Sequence, residues 1–227
     1  MFPEKYIHLG GDEVDFDCWM TNKQIKAWLN TSTLDEFKNG TTLHTFHMNK
    51  LVKIIEDLGK NYIVWQEVFF EKVKLDKNAI INLWLPDWQN NTDQVTKAGH
   101  RAILSSCWYL NYISYGLDWP TLYKCDPQDF NGTKEQKDLV IGGSAAMWGE
   151  YVDATNIIQQ SFGRGFAVAE RLWSNKDVKD VNSALKRIWE HTCRYLRRGI
   201  PAQPVTKSMF CRHEWSVQKG TSSPLIA

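Results

Sequence analysis

The residues best suited to chemistry stand near the start of the chain. Asp12 and Glu13 are adjacent carboxylic acids, and Gly10 and Gly11 precede them at the end of an apolar run, Tyr6-Ile7-His8-Leu9. Glycine lets a backbone turn sharply where a strand stops and lets a ligand come close. Consecutive side chains on a strand point to opposite faces. A pair on the turn beyond the strand is free to address one pocket from two directions. Carboxyls held close together part their proton affinities, one ionised and the other keeping its proton. That division suits acid catalysis at a glycosidic bond.

Two plainer readings compete for the same residues. Gly-Gly-Asp-Glu is also an ordinary turn with its acids in water, Asp15 or Asp17 capping the helix that follows. A similar tetrapeptide followed by Phe marks the cyclases that make cyclic di-GMP; here Val14 follows, and no other cyclase feature accompanies it. Further along, polar and aromatic residues gather past other apolar runs: Gln66 and Glu67, Pro86 and Asp87, Tyr109 and Asn111, Gly149 and Glu150. Several of the eleven tryptophans stand at the ends of such runs. An indole there offers a ligand an apolar face and an N–H donor. Other tryptophans belong to the core, and Trp108 reads as packing.

The elements that must position these residues follow from the apolar pattern. Segments 6–9, 62–68, 79–85, 101–108 and 139–148 are rich in Ile, Val, Leu and Trp, as buried parallel strands are. Helical periodicity marks 22–29, 43–58 and 183–198, with a further helix over 162–173. In 43–58 a stripe of Leu43, Phe46, His47, Lys50, Leu51, Ile54, Ile55 and Leu58 recurs at the helical period. Alternating strands and helices predict an α/β fold with a parallel sheet. Polar residues gathered past strand ends predict a (β/α)8 barrel. Five strands are legible, and 151–227 reads as helix and loop. The expectation is one catalytic barrel domain over 1–227 that supplies the last five βα units. A C-terminal helix and tail, 183–227, would pack on it.

Composition sets bounds on the rest. The chain has 227 residues, 43% hydrophobic and 23% charged, which is ordinary for a globular domain. Its 27 basic and 26 acidic residues leave a net charge of +1 and no footprint for nucleic acid or an anionic membrane. No apolar run is long enough to span a bilayer. The five cysteines lack metal-ligand spacing, and no metal or cofactor is expected. Cys193 and Cys211 flank a helix end and a Pro-containing turn, a spacing that suits a disulfide. Asn30, Asn39, Asn90 and Asn131 open Asn-x-Ser/Thr sequons in polar surroundings, which points to the secretory pathway. Met1-Phe2-Pro3-Glu4-Lys5 is not a signal peptide.

The distant motifs decide among these readings. His8-x-Gly10-Gly11-Asp12-Glu13 resembles the signature of the family 20 glycoside hydrolases, and its surroundings resemble the lysosomal β-N-acetylhexosaminidase subunits of that family. Val64-Trp65-Gln66-Glu67-Val68, Trp84, Trp108-Tyr109-Leu110-Asn111, Ser114-Tyr115-Gly116, Met147-Trp148-Gly149-Glu150 and Ala169-Glu170-Arg171-Leu172-Trp173-Ser174 agree in order. The resemblance implies removal of terminal N-acetylglucosamine or N-acetylgalactosamine from glycolipids or glycoproteins. The sugar's own acetamide would be the nucleophile.

By this resemblance Glu13 is the general acid and then the base. Asp12 orients the acetamide and balances charge on its nitrogen, and Tyr109 donates its hydroxyl to the acetamide oxygen. Trp65, Trp84 and Trp148 wall the sugar pocket. Glu150 accepts from sugar hydroxyls, and Asn111 faces the 6-position. Asn111-Tyr112 has neither the cation that follows Asn in one group of relatives nor the acid that replaces Asn in another, which implies neutral substrates. Gln66 and Glu67 read as supporting or rim residues, and His8 as a residue inside the barrel or a satisfied core histidine. The resemblance also implies a homo- or heterodimer of related subunits, lysosomal or secreted. The alternative is an inert sugar-binding or regulatory piece of such an enzyme. An Arg, an Asp and a His that the family carries on earlier strands have no counterpart here. Cys193–Cys211 matches a family disulfide, the partner of Cys18 lies upstream, and Cys107 and Cys125 read as buried thiols. Leu85-Pro86 after Trp84 and the loop at 30–40 depart from the family pattern.

Overall fold

The computed structural model describes residues 3–31, 39–207 and 211. In chain order the first elements are β1 (Tyr6–His8), α1 (Phe16–Thr21), α2 (Lys23–Thr31), α3 (Gly40–Asp57), β2 (Asn61–Trp65), α4 (Gln66–Phe70), β3 (Ile80–Leu83), α5 (Trp88–Lys97) and β4 (Arg101–Leu104). Then come α6 (Trp119–Lys124), α7 (Lys134–Asp138), β5 (Val140–Gly143), α8 (Ile157–Ser161), α9 (Arg164–Trp173) and α10 (Val181–Arg197).

The five strands form one parallel sheet in the order β1-β2-β3-β4-β5. Tyr6 pairs with Asn61, Ile63 with Ile80, Ile80 with Arg101, and Ala102 with Val140 at successive seams. A doubly wound sheet reverses its strand order at a switch point. Here every strand lies beside its sequence neighbour, which is barrel order. The fold is α/β, part of a (β/α)8 barrel. Burial follows this order: β3 is buried at all four positions, β2 and β4 alternate, and β1 is more open. The one polar residue of β3, Asn82, is buried and accepts the Ser105 hydroxyl at 2.9 Å, so its oxygen is not left bare in the sheet.

The helices start on side-chain caps. Asn39 Oδ1 accepts the Thr42 N–H at 2.9 Å to open α3, and Asp180 Oδ1 accepts the Ser183 N–H at 2.7 Å to open α10. Thr133 and Gln136 form a reciprocal capping box on α7.

The chain divides into two compact units. The first comprises Met1–Ser106 with Pro127–Gly143 and holds the whole sheet. Its core includes Tyr62, Val64, Ile81, Leu83, Val95 and Leu104. The second comprises Cys107–Asp126 with Ser144–Ala227. Its helices α6, α9 and α10 pack around Trp119, Tyr123, Phe166, Ala184, Ile188 and Val205, and Trp119 Nε1 donates to the Val205 carbonyl at 2.9 Å.

The strands are shorter than the apolar runs. The run 62–68 stops as a strand at Trp65, because Gln66 opens α4. The Gln66 side-chain oxygen takes the N–H groups of Trp84 and Leu85, at 2.9 and 3.0 Å, which a longer β2 would have taken with its backbone. The run 101–108 stops at Leu104, and Ser105 and Ser106 then both donate to the Leu83 carbonyl. The run 139–148 yields a strand only over Val140–Gly143. Helices α1, α4, α6, α7 and α8 have five or six residues, fewer than two turns, and leave no periodicity to read. Most of the atypical loop, at 32–38, and the end of the expected tail, at 208–210 and 212–227, lie outside the described residues.

Candidate active site

In the first unit the chemistry begins one turn past β1. The sheet ladder runs slightly beyond the strand: Leu9 N–H donates to the Ile63 carbonyl at 2.8 Å, and Trp65 N–H to the Gly10 carbonyl at 3.1 Å. The backbone then takes left-handed φ at Gly10 (71°), Gly11 (101°) and Glu13 (46°). A Cβ on Gly11 would come within 2.2 Å of Val68, so only glycine fits beneath the acids. Glu13 adopts φ > 0 without that freedom. Such a conformation in a larger residue persists only where its surroundings enforce it, and it concentrates at functional sites. Asp12 is half-buried and Glu13 exposed. Asp15 caps α1, accepting the N–H groups of Asp17 and Cys18 at 3.0 and 3.2 Å. Of the two candidates for this cap, Asp15 and Asp17, the structure uses Asp15.

Two indoles stand close by in the same unit. Trp65 ends β2 and Trp84 follows β3, with ring centroids 6.3 Å apart in an edge-on arrangement. Trp84 Nε1 donates to both Glu67 oxygens, at 3.1 and 3.0 Å. Burial raises the Glu67 pKa; the Trp84 hydrogen bond opposes this, and the charges of Asp12 and Glu13 add to it. His8 is exposed, which removes one of its two readings, the satisfied core histidine. It stays solvent-accessible over part of its ring, lies 4.7 Å from Trp65 between ring centroids, and accepts the Gly10 N–H on Nδ1 at 3.0 Å. β1 is only three residues long, and His8 is its exposed last residue. Desolvation lowers the His8 pKa, against the raising effect of Asp12.

In the second unit Tyr109 pairs with Ala146, and the bridge is tied by Leu110 N–H to the Ala146 carbonyl (2.8 Å) and Ala146 N–H to the Trp108 carbonyl (2.9 Å). Trp108 is fully buried and donates to the Leu122 carbonyl, which is a packing role. The Tyr109 and Tyr112 rings stack at 5.2 Å and 24°. Asn111 is 4% exposed and donates from Nδ2 to Glu150 Oε2 at 3.2 Å. Its Oδ1 is buried with no hydrogen-bond partner. A buried acceptor without a donor carries a desolvation cost of about 1–3 kcal/mol, which a ligand hydroxyl would remove. Glu150 and Trp148 are exposed.

A residue absent from the sequence reading steadies this segment. Arg164, 3% exposed, donates from Nη1 to the Leu110 carbonyl at 2.8 Å and from Nε to Asp118 at 3.0 Å; it also bonds Gln160. One guanidinium therefore holds both ends of the exposed loop between Asn111 and Asp118. A basic residue opening an apolar helix gave no sign of this.

Cys107 and Cys125, read as buried thiols, are bonded to each other, with Cα atoms 6.3 Å apart. Spacing alone could not tell a thiol pair from a bridge. Cys193 and Cys211 are likewise bonded. Cys18 is an exposed free thiol. Asn30, Asn39, Asn90 and Asn131 are all exposed; Asn39 caps α3, and Asn90 donates to Asp87 at 3.0 Å. A cleft of about 590 Å³ lies between α9 and α10, lined by Phe166, Trp173, Arg187 and His191. None of the site residues above lines it, so cavity size does not locate the chemistry. Among the described residues no cluster of His, Cys, Asp and Glu could hold a metal, and no helix is long and apolar enough to cross a membrane.

Comparison with known proteins matches residues 1–176 to the model of glycosyl hydrolase family 20, catalytic domain. The chain belongs to this family. Among its family 20 relatives, β-hexosaminidase subunit alpha of Bos taurus is 48% identical over 220 residues, covering 95% of this chain and 41% of the bovine one. β-Hexosaminidase subunit beta of Homo sapiens is 46% identical over 216 residues, covering 94% of this chain and 38% of the human one. The chain thus spans about two fifths of the length of these relatives. The family 20 chitobiase of Flavobacterium johnsoniae superposes with a TM-score of 0.72 at 28% identity, over 88% of this chain and 30% of that one. An inactive mutant of the Vibrio harveyi exo-β-N-acetylglucosaminidase gives 0.77 at 20% identity, over 91% of this chain and 34% of that one, a likeness of fold alone.

Proposed function

We propose that this chain supplies part of the catalytic domain of a β-N-acetylhexosaminidase, which removes terminal non-reducing N-acetylglucosamine or N-acetylgalactosamine from glycoconjugates with retention at C1. The observation that carries this reading is the turn beyond β1. Gly10 and Gly11 on positive φ, Gly11 with no room for a side chain, lead into an acid pair whose second member, Glu13, is itself left-handed, in the unit where two indoles stand at the ends of the next strands. Membership of family 20 and the β-hexosaminidase relatives support it.

In the proposed reaction the carbonyl oxygen of the sugar's 2-acetamido group attacks C1 while Glu13 gives its proton to the departing oxygen. The product is a bound oxazolinium ion. Water then adds to C1 from the opposite face, its proton passes to Glu13, and the bond from C1 to the amide oxygen breaks. Two inversions give net retention. Asp12 accepts the amide N–H and balances its growing positive charge, and Tyr109 donates to the amide oxygen. A nucleophile carried by the substrate acts at high effective concentration, so no protein side chain need bond to the sugar. Trp65, Trp84 and Trp148 wall the pocket. Glu150 accepts sugar hydroxyls, and the bare Asn111 Oδ1 receives one more. Tyr112 leaves the outer position without charge and favours neutral sugars. The single barrel domain with its C-terminal helix and tail over 183–227, the dimer of related subunits, and lysosomal or secreted placement belong to the same proposal. So does glycosylation at the four exposed sequons.

The test is release of nitrophenol from a 4-nitrophenyl N-acetyl-β-glucosaminide by the full chain. Glu13→Gln lowers kcat by about 10²- to 10⁴-fold, as removal of a general acid does. Turnover that survives the substitution contradicts the reading. A protein that binds N-acetylglucosamine yet turns over nothing supports the inert sugar-binding alternative.

A further inference from the structure

Gln66 and Glu67 stand side by side at the start of α4, and both reach across to Trp84. Gln66, 2% exposed, accepts the backbone N–H groups of Trp84 and Leu85 on one oxygen. Glu67 accepts the indole N–H on both of its oxygens. Trp84 is therefore fixed at two places, at its backbone and at the far end of its side chain. An indole fixed only by packing can rotate about its side-chain torsions. With its N–H aimed at a carboxylate from the neighbouring strand end, the ring plane is set. The plane so set places Trp84 edge-on to Trp65, at 70°.

We infer that Glu67 is a positioning residue that holds the Trp84 indole at the angle the sugar pocket requires. The inference rests on the proposed function for its kinetic consequence and on the hydrogen bonds alone for its structural one. A carboxylate half out of water is a costly way to anchor an indole if anchoring were all that was needed; a neutral acceptor would do it. What the carboxylate adds is strength, since bonds to a charged acceptor are roughly twice as strong as neutral ones. It also adds sensitivity to pH. Protonation leaves only one good acceptor oxygen and weakens the hold. The charged groups that bear on Glu67 are Asp12 and Glu13 from the turn beyond β1. His8, at the end of that strand, lies against Trp65. Burial and the two acids favour the protonated form, so the hold loosens at a pH above the ordinary glutamate range.

The experiment labels the tryptophans of the full chain with ¹⁵N in the indole ring and follows the Trp84 Nε1–H resonance with pH, assigned by its loss in Trp84→Phe. The resonance is expected to titrate above the ordinary glutamate range, and the titration to vanish in Glu67→Gln while the resonance stays near its place. In Glu67→Ala it moves toward the position of a solvated indole. With the 4-nitrophenyl substrate, Glu67→Ala raises KM about tenfold and leaves kcat nearly unchanged, whereas Glu67→Gln recovers most of the loss. A Trp84 resonance indifferent to both substitutions overturns the inference, as does an unchanged KM in an active Glu67→Ala protein. A wild-type chain with no turnover counts against the proposed function only, because the resonance still reports the clamp. Glu67→Gln keeps the shape of the side chain, so the titration can be read even if Glu67→Ala fails to fold.

Discussion

Trp65 ends a strand, Trp84 directly follows one, and Asp12 and Glu13 stand on the turn beyond a third, whereas Tyr109, Asn111, Trp148 and Glu150 stand on segments tied at separate points. In the first unit β1, β2 and β3 bring their ends to a common rim, and continuous parallel pairing sets the spacing. In the second unit Tyr109 is held by a lone bridge to Ala146, the Cys107–Cys125 disulfide two residues before it, and Arg164 behind Leu110. A ladder shares the positioning of strand ends among many backbone groups, with Gln66 and Glu67 as added ties at Trp84. Point ties concentrate it, so the loss of one should be felt at once. The candidate residues of the second unit are therefore the more fragile set.

The largest effect is expected at Arg164. Its removal leaves Asp118, Leu110 and Gln160 without their common partner in a buried setting. Arg164→Ala should cost about 3–5 kcal/mol, the usual result of breaking a buried pair from one side. Thermal unfolding followed at the second unit's tryptophans measures it. A change within error would show that the loop is held by something else.

Opening the Cys107–Cys125 bridge comes next. It closes a loop with a sequence separation of 18, and a loop of that size is worth about 3 kcal/mol. Cys107→Ser with Cys125→Ser should lower the melting temperature of the second unit and raise KM through Tyr109. Equal destabilisation of the sheet would remove the contrast between the two regions.

How far the sequence foretold this contrast depends on the kind of tie. The acid pair was readable because two glycines and two acids at the end of an apolar run mark a strand-end turn, and Gly11 and Glu13 indeed carry left-handed φ. Trp65 and Trp84 were readable for the same reason, as residues at strand ends. Arg164 was not, because its partners at Leu110 and Asp118 lie 54 and 46 residues away, and nothing local announces them. The bond between Cys107 and Cys125 was hidden likewise, since five cysteines allow many pairings. Gln66 looked like strand and is helix, because its side chain replaces the ladder it interrupts. Local pattern thus revealed what the ladder holds and missed what long-range point contacts hold.

The smallest effect is in pH, and it belongs to the first unit. His8 and His100 both have pKa values lowered by burial, opposed by Asp12 and Asp76 respectively. Nδ1 of His100 is buried without a partner. The unfolded chain binds more protons than the folded one once pH drops below the ordinary histidine value of about 6.5. Their contribution is present in full above that value and is lost as pH falls through the lowered folded pKa. Glu67 works in the opposite sense: its contribution is present below the ordinary glutamate value and is lost as pH rises through the raised one. The midpoint of urea unfolding, followed from about pH 7.5 to about pH 5, either side of the ordinary histidine value, should fall less in His8→Gln with His100→Gln than in the wild type. Identical slopes would remove the histidines from the account.

The central claim, that the bound sugar's own amide attacks C1 with help from Asp12, Glu13 and Tyr109, is tested most directly by weakening that amide as a nucleophile. A series of 4-nitrophenyl glucosaminides bearing acetyl, fluoroacetyl, difluoroacetyl and trifluoroacetyl groups on nitrogen serves this purpose. The account predicts a steep fall in kcat/KM with each added fluorine, and a much shallower one when Tyr109→Phe removes the donor to the amide oxygen. Rates that ignore the fluorines would mean a nucleophile other than the substrate's amide, and would contradict the account.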